Sequence, residues 1–268
     1  MVSGSTESPV RRFALLLEYD GTAYGGSQHQ TNAPTVQGAL ESALSSLTGE
    51  QTRVALAGRT DAGVHALGQV AAFTTLSRHS AAVVARAGNA LLPRDIAVRS
   101  ACEVPETFNP RRHATGRWYR YTLYIRKQRP ALLRHRVWHL ERELNLEAMN
   151  LAAQALIGAH DFAAFAPPSE ARRASTHRCI SKASVQRSTA GLVHFDIDGN
   201  AFLRHMVRRV MAALVEVGAG RFTPAGFGSL VTAAEPGAAS GMAPARGLCL
   251  MKVRYESGLF DDETNEDI

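Results

Sequence analysis

The sequence predicts an α+β protein made of two successive β-α-β-β-α-β units. Three observations predict it. Apolar runs of strand length alternate with stretches of helical spacing, and the same order of elements comes twice. A short Pro-bounded stretch, Pro105 to Pro110, separates the two series. The 268 residues suffice for one large domain or two small ones. The expectation is two ferredoxin-like halves that form a mixed, mainly antiparallel sheet with flanking helices. The repeat lies in element order only, because the residues of the two halves show no self-similarity.

The first half opens with a buried strand, Arg12 to Tyr19, rich in Leu. A Gly-, Ser- and Gln-rich loop follows, Asp20 to Asn32. Thr35 is placed to cap a helix in which Val36, Leu40, Leu44 and Leu47 keep helical spacing. Thr52 to Ala57 and Gly68 to Thr75 read as strands. Ser80 caps a helix over Ala81 to Leu91, which Pro93 ends. Ile96 to Val104 completes the set as a strand.

In the second half, Arg117 to Arg126 alternates as a half-buried strand does. Asn145 starts a helix through Met149, Ala152, Leu156 and Ile157. A loop runs from His160 to His177. Cys179 to Gln186 and Leu192 to Ile197 are strands joined by a Thr189-Ala190-Gly191 hairpin turn. Ala201 to Val217 is a long helix, a shorter one follows Pro224, and Gly247 to Tyr255 is the last strand. The implied organisation is a disordered N-terminus over 1–10, a first half over 11–106, a second half over 107–257, and an acidic tail over 258–268.

Composition excludes several classes. No apolar run is long enough to span a membrane. The stretch Met1 to Pro9 lacks the apolar core of a secretory signal. Cys102, Cys179 and Cys249 are odd in number and widely spaced, which argues against a disulfide framework or a zinc site and for reduced thiols in the cytoplasm. There is no H-E-x-x-H, EF-hand or P-loop pattern, so neither metal nor nucleotide is implied.

Charge is more informative. The net charge is +6, yet Asp261 to Ile268 alone holds five acids and no base, so the body carries +11. Only Lys127, Lys182 and Lys252 are lysines; the other 27 basic residues are arginines. Arg binds phosphate through a planar fork and stacks on bases. Arg111, Arg112, Arg117 and Arg120 interleave with Trp118, Tyr119 and Tyr121. Arg126, Lys127, Arg129, Arg134 and Arg136 form a second group, and Arg172, Arg173 and Arg178 a third. Basic groups mixed with aromatics suit a protein that handles single-stranded or flipped bases.

The most distinctive stretch is Gly58-Arg59-Thr60-Asp61-Ala62-Gly63-Val64-His65, set between apolar runs. Gly58 and Gly63 permit unusual backbone angles and close approach of another molecule. An Arg near a carboxylate favours its ionised form, and an ionised Asp can act as nucleophile or base. The alternative is an ordinary Asx turn. Further on, Phe202 to Met211 places Arg204 and Arg208 four apart on a largely apolar helix. Such a cation pairs with an anion, with Asp61 a good candidate, or touches phosphate, or forms an exposed ridge. Tyr119 either packs in its strand or works near the acid, by stacking on a base or moving a proton. His65 and His205 read as structural.

Taken together, Tyr19-Asp20-Gly21-Thr22, the Gly58 to His65 run, Arg117-Trp118-Tyr119-Arg120-Tyr121 and Asn200 to Arg208 resemble the tRNA pseudouridine synthase A family, from about Arg12 to Tyr255. Gly247-Leu248 also fits. The resemblance implies the pseudouridine synthase fold and isomerisation of uridine to pseudouridine in the tRNA anticodon stem-loop, at positions 38, 39 and 40, by a homodimer that grips one tRNA with both subunits. It implies Asp61 as nucleophile, Tyr119 as the residue on the target uracil, Arg208 as the partner of the acid, and Arg59 as a holder of the flipped base, with Gln28 and Leu248 as further substrate contacts. The reaction gains and loses no atoms, so no cofactor is expected. One departure stands out: Ser27 precedes Gln28 where the family usually has Trp. Two rival readings are a non-catalytic RNA-binding protein on ferredoxin-like halves and an Asp-dependent glycosidic hydrolase. The second lacks a convincing partner acid.

Overall fold

The computed structural model describes residues 9–172, 175–188 and 191–260. The chain divides into two compact units. One comprises Met1–Ala114 with Val253–Ile268, the other Thr115–Lys252.

In the first unit the order is β1 (Arg11–Tyr19), α1 (Val36–Thr48), β2 (Val54–Leu56), β3 (His65–Thr75), α2 (Ala81–Leu91) and β4 (Ile96–Val104), with one turn of 3-10 helix at Gly21–Ala23 after β1. The strands lie in the order β4-β1-β3, with β2 also on β3, and all these pairs are antiparallel. β1 is the centre. Phe13 to Leu17 are at most 2% exposed, so both faces of this strand are covered. Phe13 sits opposite Phe73 of β3, with ring centroids 5.6 Å apart. The caps explain where the helices begin. Thr35 and Ser80 each accept a hydrogen bond from the backbone N–H three residues on. Gly49, at φ 72°, ends α1 in the left-handed conformation that costs glycine least. Asn89 then ties α2 to β4: its amide donates to the Val98 carbonyl and accepts from the Val98 N–H.

The second unit contains β5 (Ala114–Ile125, whose first residue falls on the other side of the division), β6 (Trp138–Leu140), α3 (Leu146–Gln154), β7 (Gly158–Asp161), α4 (Pro168–Ala171), β8 (His177–Arg187), β9 (Leu192–Gly199), α5 (Met206–Gly218), α6 (Pro224–Ala233) and β10 (Leu248–Tyr255, of which Leu248 to Lys252 lie here). The strand order is β10-β5-β9-β8-β7, with β6 parallel to β5. Alternation along β5 and β9 sorts their side chains. Tyr119, Tyr121 and Leu123 lie opposite Ile197, Phe195 and Val193 and are buried with them. Trp118, Arg120 and Thr122 lie opposite Asp198, Asp196 and His194 on the polar face. Met206, Val210, Met211 and Leu214 give α5 a fully buried stripe.

The structure moves several expected boundaries. The long helix begins at Met206, five residues later than expected, because His205 holds a left-handed conformation, φ 62° and ψ 0°. Arg204 therefore precedes α5 and does not share a helix face with Arg208. The helix after Asn145 stops at Gln154, and Gly158, at φ 111°, redirects the chain into β7. The expected loop from His160 to His177 contains the end of β7 and the short α4. The N-terminal residues 1–8, Arg173, the turn residues Thr189 and Ala190, and the acidic stretch 261–268 lie outside the described residues.

Candidate active site

The Asp61 segment leaves the edge of the sheet and is tied down almost residue by residue. Beyond β2, the Ala57 N–H still donates to the Val70 carbonyl at 2.8 Å. Gln69, fully buried on β3, then grips Gly58 from both sides: its Nε2 donates to the Gly58 carbonyl at 2.9 Å and its Oε1 accepts from the Gly58 N–H at 3.3 Å. Thr60 is buried, and its hydroxyl shares a hydrogen bond of 2.8 Å with that of Tyr19, the last residue of β1. Asp61 itself starts a tight turn closed by the Val64 N–H on the Asp61 carbonyl, 3.1 Å, with Gly63 at φ 77°. Asp61 is half-buried and its neighbours Arg59 and Ala62 are exposed. The acid thus stands at the accessible tip of a segment whose preceding residues are fixed.

The Tyr19-Asp20-Gly21 turn supports the far side of this segment. A Cβ on Gly21 would fall 2.0 Å from the Val64 carbonyl oxygen, so only glycine lets the two backbones touch. His65 is buried beside it. Its Nδ1 lies 3.2 Å from the Gly21 N–H and 3.2 Å from an Asp20 carboxylate oxygen. One nitrogen cannot accept from the first and donate to the second at once, so which contact is made depends on whether Nδ1 carries a proton. Either way, His65 joins the turn to β3, the structural role expected of it. Gln28 is exposed on the loop after this turn.

The other expected residues lie in the second unit. Tyr119 on β5 is 8% exposed and meets Phe202 edge to face, centroids 5.1 Å apart. Arg208, in the first turn of α5, is braced by one residue at two points: its Nε donates to the Ala243 carbonyl at 2.8 Å, and the Ala243 N–H donates to the Arg208 carbonyl at 3.0 Å. Tyr121, two residues after Tyr119, donates its hydroxyl to the Pro244 carbonyl at 2.7 Å. Burial pushes the Tyr121 phenol above its ordinary value, opposed by the positive charges of Arg208 and Arg246. Leu248 is buried at the start of β10.

The aromatic and basic strand is less open than its sequence suggested. Arg120 makes a two-point contact with Asp196, at 2.9 and 3.2 Å, and lies over Trp118, whose Nε1 donates to the same carboxylate at 2.8 Å. Arg117 donates to the Asn200 carbonyl at 2.7 Å. These arginines are largely committed within the fold. The residues from Arg126 to Arg129 and from Arg134 to Arg136 are exposed, so the loop between β5 and β6 carries its positive charge in solvent. Sequence reasoning missed Gln69, Tyr19 and Ser27 as the frame of the Asp61 segment. Gln69 left a signal, as one amide inside the otherwise apolar run of β3.

A carboxylate held at a pinned, accessible turn suits an enzyme better than a structural module, and an exposed basic loop suits a polyanionic substrate. The profile of the family described as tRNA pseudouridine synthase matches residues 16–111 and 152–256. The chain is 42% identical over 253 residues to tRNA pseudouridine synthase A of Geotalea daltonii, covering 92% of this chain and all of that protein. It is 47% identical over 250 residues to tRNA pseudouridine synthase A of Roseiflexus castenholzii, covering 92% and 91%. With the protein of that name from Chloroflexus aurantiacus it shares 44% over 254 residues, covering 94% and 91%. The chain belongs to the tRNA pseudouridine synthase family, a family of isomerases. No helix among the described residues is long and apolar enough to cross a membrane.

Proposed function

We propose that this chain isomerises uridine to pseudouridine in the anticodon stem-loop of tRNA, at positions 38, 39 and 40, with Asp61 as nucleophile. The observation that carries the reading is the Asp61 turn: a half-buried carboxylate at the tip of a segment held by Gln69, Tyr19 and the Tyr19-Asp20-Gly21 turn, in a chain of this family. A paired base hides its glycosidic bond, so the target nucleotide leaves the stack first. The N1–C1′ bond breaks, the uracil turns, and C5 bonds to C1′. The C5 proton is then lost and N1 gains one, so substrate and product have the same atoms. Asp61 serves either by attack on C1′ or by removing the 2′ proton to give a glycal. Both routes need the carboxylate and neither needs a cofactor.

Tyr119 and Arg208 complete the catalytic set in this reading. Tyr119 presents a ring to the uracil and a hydroxyl for the late proton transfer. Arg59 and Gln28, both exposed in the first unit, are assigned to the displaced nucleotide and its surroundings, and Leu248 to the base. The working form is a cytoplasmic homodimer. Its excess of positive charge, set off by the exposed loop from Arg126 to Arg136, suits a polyanion larger than one nucleotide.

The test uses unmodified tRNA transcripts, a carbodiimide that tags pseudouridine, and reverse-transcriptase stops read with the native chain and with Asp61→Ala. Stops in the anticodon arm with the native chain only are expected. Stops elsewhere would keep the chemistry and reject the target position. An absence of stops with tight tRNA binding would replace this reading with a non-catalytic RNA binder.

A further inference from the structure

We infer that Ser27 is a positioning residue for Asp61, acting through the peptide of Thr60; the inference rests on Asp61 being the nucleophile. Ser27 is fully buried, which is unusual for a serine in a Gly-rich loop. Its hydroxyl oxygen accepts from the Thr60 N–H at 2.8 Å, and its own N–H donates to the Thr60 carbonyl at 3.0 Å. With the Tyr19 hydrogen bond, every polar group of Thr60 is occupied: N–H and carbonyl by Ser27, hydroxyl by Tyr19. The Thr60 carbonyl belongs to the peptide that enters Asp61. Its plane therefore sets the direction in which the carboxylate leaves the chain.

The clamp is anchored at its other end too. The Ser27 carbonyl accepts from the Gln37 N–H at 2.9 Å, in the first turn of α1, where orphan donors need a partner. Gly26, at φ 114°, brings the loop in so closely that a Cβ there would lie 2.9 Å from the Thr60 carbonyl oxygen. The chain from Gly26 to Ser27 thus lies between the helix and the Asp61 segment and holds Thr60 through both its N–H and its carbonyl. Position 27 is also where the chain departs from the pattern it resembles. A Trp indole carries a donor and no acceptor, so it cannot receive the Thr60 proton as this hydroxyl oxygen does.

Losing the oxygen strands the buried Thr60 N–H, in the peptide between Arg59 and Thr60; that peptide then turns to find water or another acceptor, and the shift passes through Thr60 to Asp61 although the Ser27 N–H still holds the Thr60 carbonyl. A displacement of about 1 Å at a reacting group lowers a rate roughly 100-fold. Ser27→Ala is therefore expected to lower kcat about 10- to 100-fold while KM for tRNA stays within about twofold. The control is Ser45→Ala. Ser45 accepts from the Thr52 N–H at 3.0 Å in the same unit, so this variant removes a bond of the same kind away from Asp61. Both variants should melt a few degrees below the parent; only Ser27→Ala should lose kcat. Near-isosteric Ser27→Cys, whose sulfur is a weak acceptor, is measured alongside and should fall between, which keeps the test decisive if Ser27→Ala does not fold. Asp61→Asn tells the positioning role apart from the nucleophile it serves. If it is inactive while Ser27→Ala and Ser27→Cys keep the parental kcat, or Ser45→Ala loses as much, the positioning role is overturned alone. If Asp61→Asn stays active, the nucleophile reading itself fails.

Discussion

The Cβ that Gly247 lacks would lie 2.5 Å from Cζ of Tyr121. The tyrosine is fully buried and its hydroxyl is fixed on the Pro244 carbonyl, so it cannot yield to the intruding methyl. Gly247→Ala should therefore destabilise the chain by about 1–3 kcal/mol through overpacking. Urea unfolding reads the change as a lower midpoint with an unchanged slope. Tyr121 stands on strand β5, which also carries Tyr119, and its ring packs against the segment before β10. A shift there should also lower activity. An unchanged midpoint would mean that the ring has room the geometry denies it.

Asp61→Asn keeps the shape of the side chain and removes its nucleophilic power. Activity on tRNA should fall by roughly a thousandfold or more, with tRNA affinity close to the parent's. Tyr119→Phe asks the finer question. Phenylalanine retains the edge-to-face contact with Phe202, so the packing of the ring should be kept, and a melting curve checks the fold. If the hydroxyl moves a proton, kcat should drop about 100-fold, the low end for general acid–base catalysis. A parental kcat would assign Tyr119 to packing alone. Single-turnover rates with the tagging assay decide both cases.

What the sequence showed, and what it hid, follows from the range of the interactions involved. Helix α2 and strand β4 have the expected ends because their signals are local: Ser80 caps its own helix and Pro93 follows it. Helix α5 does not, because a left-handed residue starts it and His205 carries no turn signature such as glycine or asparagine. The Asp61 turn was legible as an oddity, two glycines and an acid between apolar runs. Its frame was not. Ser27 reaches Thr60 across 33 residues and Tyr19 reaches it across 41. Spacing along one chain carries no record of such pairings. Arg120 shows the opposite error. It read as a basic residue available to RNA, and its commitment to Asp196 became visible only once β5 and β9 were in register.

The positive charge left in solvent between β5 and β6 makes a prediction about binding. Lys127 and Arg129 are exposed in this loop. Replacing both by Ala should weaken tRNA binding more at low salt than at high salt. The slope of log affinity against log salt should become shallower by about 1 to 2, near one unit for each phosphate that is no longer neutralised. Stability should not change, since exposed charges contribute little to it. Filter binding across a salt series measures the slope. An unchanged slope would place the RNA on other parts of the chain.

His194 makes the fold sensitive to acid. Burial lowers its pKa first, the positive charge of Arg120 lowers it further, and Asp196 opposes both. Its ring also sits 3.3 Å from the Thr122 hydroxyl on the neighbouring strand. The unfolded chain therefore binds a proton at a pH where the folded chain does not. Stability rises with pH wherever the unfolded state holds more protons. The contribution of His194 is complete above the ordinary histidine value, about 6.5, and is lost as pH falls from there through the lower folded value. Unfolding free energies at about pH 8 and about pH 5.5 should thus differ, and His194→Gln should reduce that difference. Glutamine can still meet the Thr122 hydroxyl but has nothing to titrate in this range. Carboxylates that titrate lower down act equally in both proteins, so the comparison isolates the histidine. An equal pH dependence in the two would show that the charges around Asp196 already offset the burial of this ring.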